Sequence, residues 1–219
     1  MRRAAKAISL SARVVESTSP AFPPGLQKDV LLGCYSQLWA LGTLEILKAR
    51  PLGFFCSAKC PGNVIVQIYD LARALRDARI AVISGFHSSM EKECLELLRR
   101  GTAPVVICPA RGIERMRLPA AWRTPLDEGR LLVCSPFTTP YRRPTASLAE
   151  QRNRLVAALA DAVVIAHASP GSKIARLSAE MVASGKRVYT LNLPENGDMI
   201  QHGVKGYAVP DLVDCLLRQ

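Results

Sequence analysis

The sequence predicts an α/β fold, a doubly wound and mostly parallel sheet with helices on both faces. Three observations carry this expectation. Short apolar runs alternate with stretches patterned at helical spacing, the order of elements that right-handed strand–helix–strand crossovers produce. The runs are apolar at consecutive positions, as in AVVIA at 162–166, so both of their faces need cover. The turns rich in Gly, Ser and Pro come directly after these runs, and in such sheets ligands bind outside the carboxyl ends of the strands.

In chain order, residues 1–27 are expected to be an irregular tail closed by Phe22-Pro23-Pro24-Gly25, with a basic opening whose apolar part is too interrupted for a leader. Residues 28–219 are expected to form a single domain. Its first part, 28–50, reads as a helical lead-in with Leu31, Leu32, Tyr35, Leu38, Trp39 and Leu44 on one face, ended by Pro51. The first strand is 52–56, followed by a helix marked by Val64, Ile68, Leu71 and Leu75. A second strand at 80–83 leads to a helix carrying Met90, Cys94, Leu97 and Leu98, with Gly101 as its C-terminal stop. The third strand is 104–108, then a short helical stretch lies within 111–128, and 130–134 is the fourth strand. A loop rich in Pro, Thr and Arg follows, and Ser147 is expected to cap the next helix, with Leu148, Leu155, Val156 and Leu159. Strand 162–166, a turn, a helix through Ile174, Leu177 and Met181, a strand at 186–193 and a helix at 210–217 complete the pattern.

Composition narrows the function. Apolar residues make up 49% and charged residues 21%, which suits a soluble globular chain, and no apolar run approaches the roughly 18 residues a spanning helix needs. The formal net charge of +11 points to a polyanionic partner. Seven cysteines are scattered through strands and helices, as small buried hydrophobes of a reducing cytoplasm would be. Cys56 and Cys60 are spaced as C-x3-C, but no second pair or nearby His completes a zinc set, so no metal and no cofactor are expected.

Four post-strand segments are the candidate anion site. Ser57, Lys59 and Gly62 follow the first strand and offer backbone N–H groups with a mobile charge. Ser84, Gly85, His87 and Ser88 follow the second, with Gly for close backbone approach and hydroxyls that donate; His87 has no acidic partner to make it a base. Arg142 and Arg143 in the basic loop, beside Tyr141, lead to Arg152, Asn153 and Arg154, a grouping suited to phosphate contact and base stacking. Gly171, Ser172 and Lys173 close the strand–turn–helix unit at 162–182, where free N–H groups and the helix dipole converge. A plain turn capped by Ser172 is the competing reading of that last segment. G-x-G-x-x-G and G-x-x-x-x-G-K-[ST] are both absent, as are a Ser-His-Asp order and paired carboxylates, so the chain reads as a binder rather than an enzyme.

These residues resemble the Rossmann-like core of the DprA/Smf DNA-processing family, within the wider SLOG superfamily, over roughly 38–203. Arg152-Asn153-Arg154-Leu155-Val156 is similar to the family's R-N-R-I-I helix, Phe55-Cys56-Ser57-Ala58 to its V-G-S-R, the segment 84–91 to its S-G-x-A-R-G-I-D, Pro170-Gly171-Ser172-Lys173 to its S-G-S-L turn, and Leu193-Pro194-Glu195 to its later proline-glycine segment. Ala58 and Ser88 stand where the family has Arg, and Glu91 where it has Asp, with Lys59 and Lys173 as nearby replacement charges. The resemblance leaves little room for the family's N-terminal helical and C-terminal winged-helix modules.

What the resemblance implies is a cytoplasmic, DprA-like protein that binds single-stranded DNA in a basic strand-end cleft during DNA uptake and recombination, with the RecA recombinase as partner, a homodimer as an open arrangement and no membrane contact. The alternative is a SLOG-type protein that binds a phosphorylated nucleotide ligand in the same cleft, as a sensor or a phosphoribohydrolase-like enzyme. Pro170-Gly171-Ser172 with Glu180 only loosely echoes the P-G-G-x-G-T-x-x-E motif of that enzyme class.

Overall fold

The computed structural model describes residues 11–28, 35–138 and 143–218. The chain enters through a strand where an irregular tail was expected: Arg13–Glu16 (β1), followed by a one-turn helix, Gly25–Lys28 (α1). The expected helical lead-in also gives way, to the strand Gln37–Leu41 (β2). Its side chains alternate: Leu38 and Ala40 enter the core on one face of the sheet, Trp39 and Leu41 pack on the other. Apolar residues so closely spaced fit a helix face or a two-sided strand equally well, and antiparallel pairing with neighbours on both sides decides for the strand. Leu31 and Leu32 lie outside the described residues; Leu44–Ala49 is a tight 3-10 segment capped by the Thr43 side chain.

From here the chain keeps to its expected alternation. Leu52–Cys56 (β3) leads to Gly62–Asp77 (α2), Val82–Ser84 (β4) to Ser89–Leu98 (α3), and Val105–Ile107 (β5) through Arg123–Asp127 (α4) to Leu131–Ser135 (β6). Ala146–Leu159 (α5) crosses to Ala162–His167 (β7), and Lys173–Ala183 (α6) to Arg187–Leu191 (β8). Two elements close to the terminus were not foreseen: Gly197–Gln201 (α7) and a short edge strand, Lys205–Tyr207 (β9), before Val209–Leu217 (α8). Helix α5 is capped by Thr145, whose hydroxyl accepts from Leu148 N–H, and not by Ser147. Helix α3 ends with Arg99 as its cap, two residues before Gly101.

Among the described residues, nine strands form one sheet in the order β1-β2-β6-β5-β4-β3-β7-β8-β9. Strands β3 to β9 run parallel, and β2 joins β6 antiparallel. One face of the sheet, with Phe54, Val82, Ile107, Val133 and Val164, packs against α2, α3 and α8 through Ile68, Leu71, Leu95 and Leu212. The other, with Phe55, Ile83, Val106, Leu132 and Val163, packs against α1, α5 and α6 through Leu26, Leu155 and Met181. Helices therefore cover both faces, which is why β3 and β7 are buried at every position. Among the described residues no helix is long and apolar enough to cross a membrane.

Candidate nucleic-acid interface

From β3 the order runs outward through β4, β5 and β6 on one side and through β7 and β8 on the other. The switch point lies between β3 and β7, so the loops after these strands face each other at the carboxyl edge. They are tied together. Ser57 N–H donates to the His167 carbonyl at 2.9 Å, and Ser57 Oγ accepts from Ser169 N–H at 3.3 Å. Deeper in, the Asn196 side-chain NH2 donates to the Ala166 and Leu191 carbonyls, 3.0 Å each, which turns its Oδ1 toward buried His167. The 3.0 Å contact there makes His167 Nδ1 the protonated nitrogen.

The second loop is organised by Glu91. Its carboxylate accepts from three backbone N–H groups: Cys56 at 3.1 Å, His87 at 2.7 Å and Ser88 at 3.2 Å. Ser88 Oγ accepts in return from Glu91 N–H at 3.1 Å, a reciprocal capping box at the start of α3. These converging N–H groups are what an anion would use, and the chain's own carboxylate fills them. The same bonds hold Phe86 in the left-handed region at φ 46, a conformation a bulky residue adopts only when its surroundings impose it. Ser84 is turned inward, its Oγ accepting from Phe86 N–H at 3.2 Å.

Arg152 is buried, 5% exposed, rather than offered to a ligand. Its Nη1 donates to the Cys108 carbonyl at 3.2 Å and its Nε to Asn153 Oδ1 at 2.8 Å. The guanidinium lies close against Gly85: a Cβ there would sit 1.4 Å from Nη1. Gly85 thus provides close approach, as expected, but to an arginine of the chain itself. Burial pulls the Arg152 pKa below its ordinary value, while the nearby Glu91 opposes that shift.

The remaining expected residues lie further out. Arg154 pairs with Glu180 at 2.5 Å, which raises its pKa above the ordinary value, and Lys173 pairs with Glu150 at 3.1 Å. Gly171 turns with φ 69, and Ser172 caps α6 by accepting from Ala175 N–H at 3.2 Å, so the capped turn expected as the competing reading is present. Gly62 opens α2, and a Cβ there would meet nothing, so no close approach explains it. Lys59, His87 and Arg143 are exposed and make no side-chain hydrogen bond or ion pair among the described residues; Arg142 and Tyr141 lie outside them.

A cleft of about 530 Å³ opens between the β4 and β5 loops, lined by His87, Lys92, Arg99, Arg111, Trp122 and Arg152. It offers an aromatic ring beside Lys92 and Arg111; Glu93 and Glu96 also line it, and Glu96 pairs with Arg99 at 2.8 Å. A second cavity of about 510 Å³, between Phe22, Leu44 and Leu159, lies at the opposite end of the strands.

Sequence reading missed several contributors. Glu91 was legible as the fourth residue of S-x-x-E at 88–91, a capping-box signature. Arg111 was legible as the first cation after the third strand. His167, Asn196 and Trp122 carried no local signal, since only the assembled sheet edge brings them near the loops.

Among solved structures, DNA processing protein A from Streptococcus pneumoniae superposes with a TM-score of 0.76 at 16% identity, over 95% of this chain and 75% of its own. DNA processing protein A from Helicobacter pylori, described for its single-stranded DNA binding mode, gives 0.71 at 19% identity, over 96% and 97%. The molybdenum cofactor binding protein of Rippkaea orientalis gives 0.53 at 10% identity over 77% and 96%, a likeness of fold alone. No curated protein matches the chain. The sequence model of the DNA recombination-mediator protein A family matches residues 13–205, and with that span of the sheet and both sets of helices accounted for, the chain belongs to that family.

Proposed function

We propose that this protein binds single-stranded DNA along the carboxyl edge of its sheet, as a DprA-like factor in DNA uptake and recombination. The observation that carries the reading is the order of cations. Of five consecutive parallel strands, β3 to β7, four are followed by one, Lys59, Arg111, Arg143 and Lys173, and β4 is followed by the exposed ring of His87. Such a row suits a backbone of repeating charge better than a single phosphate group. The cleft with Trp122 would receive a base beside that row. The Helicobacter pylori relative's described binding of single-stranded DNA supports the same reading. The nucleotide-ligand alternative loses ground because Glu91 and the Ser57–Ser169 tie already engage the N–H groups at the β3 end.

The test is fluorescence anisotropy of a labelled oligonucleotide across salt concentrations. We expect log affinity to fall linearly with log salt, with a slope near 0.7 per phosphate contacted, and the triple variant Lys59→Ala, Arg111→Ala, Arg143→Ala to flatten it by about 2. No binding at low salt, or a slope indifferent to the three cations, would overturn the proposal. The same reading puts the protein in the cytoplasm and makes RecA the partner to test by co-sedimentation. Sedimentation velocity tests the homodimer.

A further inference from the structure

The loop between β3 and α2 holds two thiols that the nucleic-acid reading leaves unused. Cys56 ends β3 and Cys60 follows four residues later, with their sulfurs 3.2 Å apart. Both also lie within reach of one acceptor, the Ser57 carbonyl, at 3.5 Å and 3.4 Å. A register shift against β7 between Phe55 and Cys56 bends the strand end here, the kind of irregularity that re-aims a side chain. Cys56 is buried and Cys60 is half-exposed, so one thiol can be reached from solvent while the other waits behind it. The chain also contains its own comparison. Cys108 and Cys134 lie 3.5 Å apart at the ends of β5 and β6, but both are fully buried and no reagent reaches them.

We propose that Cys56 and Cys60 are a modification site that closes into a reversible intramolecular disulfide when the protein meets a low-molecular-weight disulfide such as oxidised glutathione. Cys60 loses its proton, and its thiolate attacks one sulfur of the small disulfide, forming a mixed disulfide and expelling one thiolate. Cys56, deprotonated in turn, attacks Cys60 Sγ, forms the Cys56–Cys60 bond and expels the second thiolate. The two protein thiols give up two electrons and two protons, and one small disulfide becomes two small thiols. Burial pushes both protein thiols up, and Glu91 on α3 adds to the shift in each; Cys94, also on α3, adds to it at Cys56, while the contact with Cys56 lowers Cys60. The thiolate is the attacking form, so exchange is slow near neutrality and quickens as pH rises.

The full chain is incubated with oxidised glutathione at about pH 8.5, where more of each thiol is ionised, then denatured and alkylated for mass mapping. Trypsin cuts after Lys59, between the two cysteines, so a bridge holds two tryptic peptides together. We expect that linked pair, with five of the seven cysteines still alkylated (seven less the bridged two) and full reversal by dithiothreitol. Cys60→Ser should give no linked pair under the same treatment. A glutathione adduct resting on Cys60, a link to Cys94, or alkylation of all seven cysteines would overturn the proposal.

Discussion

Glu91 shows how one side chain sets the geometry of a binding edge. Its carboxylate joins the end of β3 to the β4 loop by accepting from Cys56, His87 and Ser88. Glu91→Gln keeps the shape but leaves only one accepting oxygen for three donors, so a buried N–H loses its partner. We expect a loss of about 1–3 kcal/mol in urea unfolding. Gly85→Ala acts at the neighbouring contact, where the added methyl must displace the Arg152 guanidinium, and should cost about 1–3 kcal/mol by overpacking. Glu195 gives a pH signature. The Asn63 side-chain amide donates to its Oε1 at 2.5 Å and holds its carboxyl below the usual carboxylate range. A carboxyl with a depressed folded pKa stabilises the fold above its unfolded pKa and loses that contribution as pH falls through the folded one. In Asn63→Ala the Glu195 titration, followed by NMR, should move up toward the ordinary value.

The elements divide between those with local instructions and those without. Helix α6 has both a cap and an apolar stripe, Ile174, Leu177 and Met181, written in the sequence. Ser172→Ala should therefore cost about 1 kcal/mol of stability through the lost cap. Lys173→Ala, one residue on and exposed, should change stability by less than about 0.5 kcal/mol while weakening oligonucleotide binding. Equal affinities for Lys173→Ala and the parent would mean that the Lys173–Glu150 pair already spends this charge within the protein. Strands β1 and β2 had no such instructions. Val14, Val15, Leu38 and Trp39 are as compatible with a helix or a tail as with a strand, and their conformation comes from pairing with each other and with β6.

For the whole molecule, sheet order determines which loops share an edge. The row Lys59, His87, Arg111, Arg143, Lys173 exists because β6 to β7 is a contiguous parallel series, closed by the long α5 crossover on the opposite face from α2 and α3. Lys59 and Arg143 project from the loops after β3 and β6, which β4 and β5 separate in the sheet, and share no partner. Their alanine substitutions should weaken oligonucleotide binding additively, within about 0.3–0.5 kcal/mol. Coupling well beyond that, measured in the double variant, would mean the DNA contacts them as one cluster.

The sequence by itself determined the alternation of β3 to α6, because buried parallel strands and amphipathic helices announce themselves through local apolar pattern. It also placed the candidate residues on post-strand loops. Tertiary structure alone decided which of them face outward. Arg152 carries the closest family pattern, yet its guanidinium is buried against the Cys108 carbonyl and Gly85, because α5 crosses the sheet face where β4 and β5 end. The Ser57 and Ser88 groups are engaged by Ser169 and Glu91, partners distant in sequence or hidden in a cap. Polar residues report their chemistry locally, but whether a donor is spent within the fold depends on what the sheet brings beside it.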